Sequence, residues 1–114
     1  AGNVKEARRA YEVYLKTAPD DAAALHNYGL TLLAENSPAK AVAPLRDAIR
    51  RTPQNADSYS ALAVALIHTK DYAGAWKTLA DGAAIAPANT DILVSQILLQ
   101  ACLKDVSDKK YKKK

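Results

Sequence analysis

Residues 53–89 read PQNADSYSALAVALIHTKDYAGAWKTLADGAAIAPAN, and the stretch begins again where it ends: Pro53 and Asn55 reappear as Pro87 and Asn89. A step of 34 residues in the other direction reaches Pro19 and Asp21. One proline marks any loop. Three at a fixed interval mean that one supersecondary unit is built repeatedly, and a period of 20–50 residues is the signature of a solenoid. Each proline is followed by a residue whose side chain accepts from the free N–H groups of a starting helix.

Between the prolines the register holds. Leu25, Tyr59 and Leu93 correspond, as do Leu32 and Leu66, Gly29 and Ala63, Ala41 and Ala75, and Tyr11, Leu45 and Leu79. Apolar residues recur at three- and four-residue steps, the helical period. They predict helices over 4–18, 22–35, 38–51, 56–69, 72–85 and 90–103. Ser37 is placed to cap the third helix, with Pro38 at its first position. Asp71 is placed to cap the fifth. Residues 104–114 offer little to bury and read as a basic, flexible tail.

Composition agrees with helix and narrows the function. Hydrophobic residues make up 49% of the 114, with alanine used heavily and β-branched runs scarce. The formal charge is +4, and all of it resides in 104–114, where six lysines face Asp105 and Asp108. Residues 1–103 balance ten basic against ten acidic side chains. A single cysteine, Cys102, allows no internal disulfide. No run of eighteen apolar residues exists to form a membrane-spanning helix.

These repeats resemble the tetratricopeptide repeat family, whose 34-residue unit follows the pattern W-x2-L-G-x2-Y…A-x3-F…P. The first full unit supplies Leu25, Tyr28, Gly29, Leu32, Ala41, Leu45 and Pro53. The second supplies Tyr59, Leu62, Ala63, Leu66, Ala75, Leu79 and Pro87. The resemblance covers residues 2–103 and implies an all-α solenoid of about six helices in antiparallel pairs, wound as a right-handed superhelix. Its divisions would be 2–19 as the second helix of a partial unit, 22–55 and 56–89 as full units, and 90–103 as a partial or capping helix. Lys104-Asp105-Val106 looks like Lys70-Asp71-Tyr72, the turn between a unit's two helices. However, Lys109 and Lys113 then stand where alanine and a large apolar residue belong.

The sequence carries no Gly-rich phosphate loop, nucleophile elbow or cysteine pair, so neither an enzyme nor a cofactor is expected. The resemblance implies that the helices carrying His26 and His68 run roughly parallel, and about eight residues of helical rise then set the two ~12 Å apart, too far to share a metal easily. The resemblance implies a concave groove lined by the first helix of each unit. From the first unit it would place Ala23, His26, Asn27, Leu30, Leu33 and Ala34 there. The second would add Asp57, Ser60, Ala61, Val64, Ile67 and His68, and the third Asp91, Val94, Leu98 and Ala101. Some family members clamp a C-terminal carboxylate with Lys, Asn and Arg. The corresponding places hold His26, Leu30, Ala61, Asp91 and Ser95, so that clamp is not expected. The aliphatic row suits an apolar or amphipathic partner segment.

Residues 91–103 are apolar over a wide arc, broader than one neighbouring helix can cover. Leu93, Ile97, Leu99 and Leu103 are therefore expected to contact a second copy or an external segment. The leading expectation is a protein–protein interaction scaffold. The rival is an assembly protein that binds nucleic acid or anionic membrane through its lysine tail, with the repeats serving oligomerisation.

Overall fold

The computed structural model describes residues 2–112 of the chain, and side chains over residues 3–108. It contains six helices and, among the described residues, no strand: α1 (Gly2–Thr17), α2 (Ala22–Ala34), α3 (Pro38–Arg51), α4 (Ala56–His68), α5 (Tyr72–Ile85) and α6 (Thr90–Lys112). Each helix packs on the next, and α4 and α6 also meet directly. The result is an elongated all-α solenoid of 53 × 32 × 19 Å.

Two kinds of turn build it, each recurring at the 34-residue step. The proline turn appears three times. The N–H groups of Ala18, Thr52 and Ala86 donate back to Tyr14, Ala48 and Gly82, and those of Asp21, Asn55 and Asn89 donate to Ala18, Thr52 and Ala86. The side chains of Asp21, Asn55 and Asn89 then accept from the N–H groups of Ala24, Asp57 and Ile92, so each starts a helix. The second turn joins α2 to α3 and α4 to α5. Asn36 and Lys70 sit at positive φ, 65° and 67°. Ser37 N–H reaches Leu32 O and Asp71 N–H reaches Leu66 O, both at 2.8 Å. This is the Schellman closure, in which a left-handed residue lets the chain satisfy the last carbonyls of one helix and begin the next. Asp71 caps α5 through Gly74 N–H, whereas Ser37 makes no side-chain cap bond and α3 relies on Pro38.

Small residues set the distances between helices. Ala41, Ala63 and Ala75 have no exposed surface, and Leu45 and Leu79 fill the space beside them. α4 is enclosed by α2, α3, α5 and α6 and buries ten of its 13 residues. By contrast, no described side chain of α1 is fully buried. Arg8 ties the helix to Glu35 at the end of α2 and also donates to Glu12 within α1, to which Tyr28 Oη of α2 donates at 2.9 Å. The Tyr28 hydrogen bond, followed by Arg8, holds the Glu12 carboxyl below its usual range.

The C-terminal end departs from expectation. The chain does not turn at Lys104-Asp105-Val106, and α6 continues as a 23-residue helix to Lys112, where a flexible tail was expected from residue 104. A left-handed lysine costs roughly 1–2 kcal/mol. At Lys70 that cost is offset because α5 returns Ala75 and Leu79 to the core. Residues 105–114 are too polar to return an apolar helix, and residues 88–114 hold no proline or glycine to stop the one in progress.

Candidate functional site

The first helices of the units, α2, α4 and α6, lie side by side and enclose an open groove of about 400 Å³. It is lined by His26, Leu30 and Leu33 from α2, by Asp57, Ser60, Ala61 and Val64 from α4, and by Asp91, Val94 and Ser95 from α6. Equivalent positions supply equivalent parts. Asp57 and Asp91 are in the first turns of α4 and α6. One turn further along, Ser60, Ala61 and Ser95 make a floor of small residues, and Leu30 and Val64 form an aliphatic wall beyond it. A second, shallower recess shares Leu30 and carries the apolar surface on to Val4 and Ala7 of α1.

Two serine hydroxyls at the floor are held within the chain. Ser58 Oγ and His26 Nδ1 are 2.9 Å apart, linking α4 to α2. Ser60 Oγ donates to the Asp57 carbonyl at 2.9 Å. Burial pushes the His26 pKa down, toward the neutral imidazole, and the charge of Asp57 partly opposes that shift. A Ser–His pair can form a nucleophile and its base. Here Ser58 is only 1% exposed, so no substrate reaches its hydroxyl. The bond instead fixes the His26 ring against the floor. Among the described residues, no three His, Cys, Asp or Glu gather to hold a metal ion. No described helix is long and apolar enough to cross a membrane.

Of the residues anticipated for the groove, His26, Leu30, Leu33, Asp57, Ser60, Val64 and Val94 line it, together with Ala61 and Asp91. Ile67 does not. It is 6% exposed and belongs to the core, because helices surround α4 on nearly every side. His68 is exposed at the C-terminal end of α4, outside the groove, and Asn27 is exposed on α2 beyond its rim. Leu98 is 39% exposed and also lies outside that cavity. Ser95 lines the groove, and Ser58 braces it from beneath. The Ser58 role joins residues 32 apart on different helices, and residue periodicity gives no signal for it.

The expected contact face on α6 divides in two. Leu99 is 1% exposed and lies in the core with Ile92, so it is not a contact for a second copy. It falls on the stripe Ile92, Ser95, Leu99, Cys102, whose alternating three- and four-residue steps face the body. Leu93 and Ile97 lie off that stripe and are 44% and 67% exposed, while Leu103 is 37% exposed. Val106 continues the stripe beyond the body and is 46% exposed.

Two family models, each described as tetratricopeptide repeat, match residues 1–56 and 32–101. No curated protein matches the chain significantly in sequence. Among solved structures, that of MamA superimposes with a TM-score of 0.83 at 22% identity, over 90% of this chain and 60% of that one. This chain thus spans less than two thirds of the MamA chain. A structure described as the TPR2B-domain:pHsp70 complex of yeast Sti1 superimposes with a TM-score of 0.77 at 26% identity, over 91% of this chain and 86% of that one.

Proposed function

The chain belongs to the tetratricopeptide repeat family, and from that premise we propose that it is a protein–protein interaction scaffold that holds an apolar or amphipathic partner segment in its concave groove. The observation that carries the proposal is the row Leu30, Leu33, Val64 and Val94. Large aliphatic side chains from three successive units line one open cavity, and Leu30 is 41% and Val94 57% exposed. Aliphatic side chains turned toward an open concavity gain when a partner removes them from water, at roughly 25 cal/mol per Å². The similarity to the Sti1 domain, which that structure describes in complex with pHsp70, supports a polypeptide as the occupant.

The test is a capture experiment with the full chain as bait, comparing wild type with Leu30→Asp and Val64→Lys. Proteins retained by wild type and lost from both variants, with melting temperatures within a few degrees, support the groove. An unchanged set of captured proteins refutes it. Collapse of both variants in the melt would make these residues core and also refute it.

Exposed Leu93, Ile97, Leu103 and Val106 favour a second, compatible reading, in which α6 also mediates self-association. Ile97→Glu tests it by light scattering: a larger wild-type species that becomes monomeric in the variant supports it, and a wild-type monomer at high micromolar concentration refutes it.

A further inference from the structure

The groove has a charge sign. Asp57 and Asp91 occupy equivalent first-turn positions 34 residues apart, both are exposed, and both line the cavity. Among the described residues neither carboxylate has a lysine or arginine within ion-pair distance, whereas Glu12, Asp20, Glu35, Asp47 and Asp81 each hold one. Asp57 accepts only a long hydrogen bond from the Asn89 amide, at 3.4 Å. Among the described residues, the one basic side chain lining the groove is His26, and burial displaces it toward its neutral form. Acids in a first turn also favour their own helix by interacting with its dipole. That explanation does not require them, because α2 is built on the same plan and carries Ala23 at the equivalent place.

The groove is therefore aliphatic along one side and acidic along the other. α4 and α6 pack directly on each other, which sets corresponding positions about 8–10 Å apart. On a segment in the polyproline II conformation, with three residues per turn, side chains three residues apart share a face and lie ~9 Å apart. We infer that the segment this groove takes is a cationic amphipathic peptide, with an aliphatic side against Leu30, Leu33 and Val64 and two Lys or Arg residues about 9 Å apart against Asp57 and Asp91. The inference rests on the groove being the binding face, as proposed above, and adds the chemistry of its ligand.

A displayed library of random 12-residue peptides, selected against the full chain, tests it. The expected sequences carry aliphatic residues together with a surplus of Lys and Arg. The leading peptide should bind about three- to tenfold more weakly to the Asp57→Asn, Asp91→Asn double variant, as two exposed ion pairs allow. Replacing its two cations by Gln should cost the same factor against wild type and nothing against the double variant. The peptide-side change leaves the protein untouched, so it reads the charge term even if the double variant folds poorly.

Selected sequences with no surplus of cations, or a preference for Lys over Gln that survives in the double variant, would overturn the ligand assignment alone. That holds when Leu30→Asp still abolishes binding and the groove stands. Selected peptides indifferent to Leu30→Asp, or no selected peptide at all, would overturn the groove reading and this inference together. A synthetic peptide of residues 104–114 is the remaining control. If it binds as tightly as the selected sequences, the occupant is the lysine-rich end of a second copy and the inference of a foreign segment fails.

Discussion

Gly29 lies so close to Leu45 that a methyl group added to it would sit 2.5 Å from Leu45 Cγ. One period later the same pair is Ala63 and Leu79, both essentially without exposed surface, and there the methyl is already accommodated. The two units therefore share a register but not an identical separation of helices. Leu45 has no exposed surface and no free direction in which to move. Gly29→Ala should gain up to about 1 kcal/mol of helix propensity and lose about 1–3 kcal/mol to overpacking. The expected net effect is a destabilisation on the order of 1 kcal/mol, read from chemical denaturation. Ala63→Gly should also destabilise, by about 1 kcal/mol, for the opposite reason: a more flexible backbone and a lost contact.

Lys70 and Lys104 are the same residue at equivalent places in the repeat, with opposite structural roles. Lys70 is left-handed in a turn, and Lys104 is inside α6. Lys70→Gly should stabilise by up to about 1 kcal/mol, because glycine adopts positive φ without the steric cost. Lys104→Gly should destabilise by a comparable amount or less, as glycine does in a helix interior. Melting temperatures of the two variants should move in opposite directions. Stabilisation by Lys104→Gly would mean that the last helix breaks there after all.

Much of the fold was legible because its determinants are local and periodic. Asp21, Asn55, Asn89 and Asp71 cap the helices their positions implied, and the alanines at 41, 63 and 75 mark the closest packing. The end of the chain was less legible. Whether Lys104 turns depends on what could follow it into the core, a tertiary term that outweighs the local likeness to Lys70. The sites divided in the same way. Membership of a first helix located Leu30, Val64 and Val94, but it could not separate Ile67 or Leu99, where the depth of enclosure by neighbouring helices decides. His26 was legible as a groove residue, and its Ser58 partner was not, because two helices must be docked before the pair exists.

The burial of His26 gives a pH dependence. The folded pKa of His26 is depressed, first by burial, while the unfolded chain titrates near the ordinary value of about 6.5. Between those values the unfolded state binds more protons than the folded one, so stability is full above about pH 6.5 and declines as the pH falls through the folded pKa. Glu12 and Asp21 are also depressed, through hydrogen bonds led by Tyr28 and Tyr14 respectively, and their contributions are lost only in the lower carboxylate range. Denaturation midpoints measured between pH 7.5 and 5 should fall for wild type and stay flatter for His26→Gln. Parallel slopes would show that the imidazole titrates alike in both states.

Core and surface positions on α6 should separate cleanly. Leu99→Ala should cost about 2–5 kcal/mol, as expected for a fully enclosed leucine. Ile97→Glu should leave stability within about 0.5 kcal/mol, since Ile97 is 67% exposed. Urea denaturation of the two variants checks both values.

The central claim is that the groove between α2, α4 and α6 is the binding face. The most direct test is an NMR titration of the isotope-labelled chain with a peptide chosen by selection against it, following the backbone amides. The account predicts that shift changes concentrate at His26, Leu30, Asp57, Ala61, Val64, Asp91 and Val94, and that the outer faces of α3 and α5, including the region around Trp76, stay unchanged. Changes concentrated on those outer faces or at Leu93 and Ile97, with the groove amides unmoved, would contradict it.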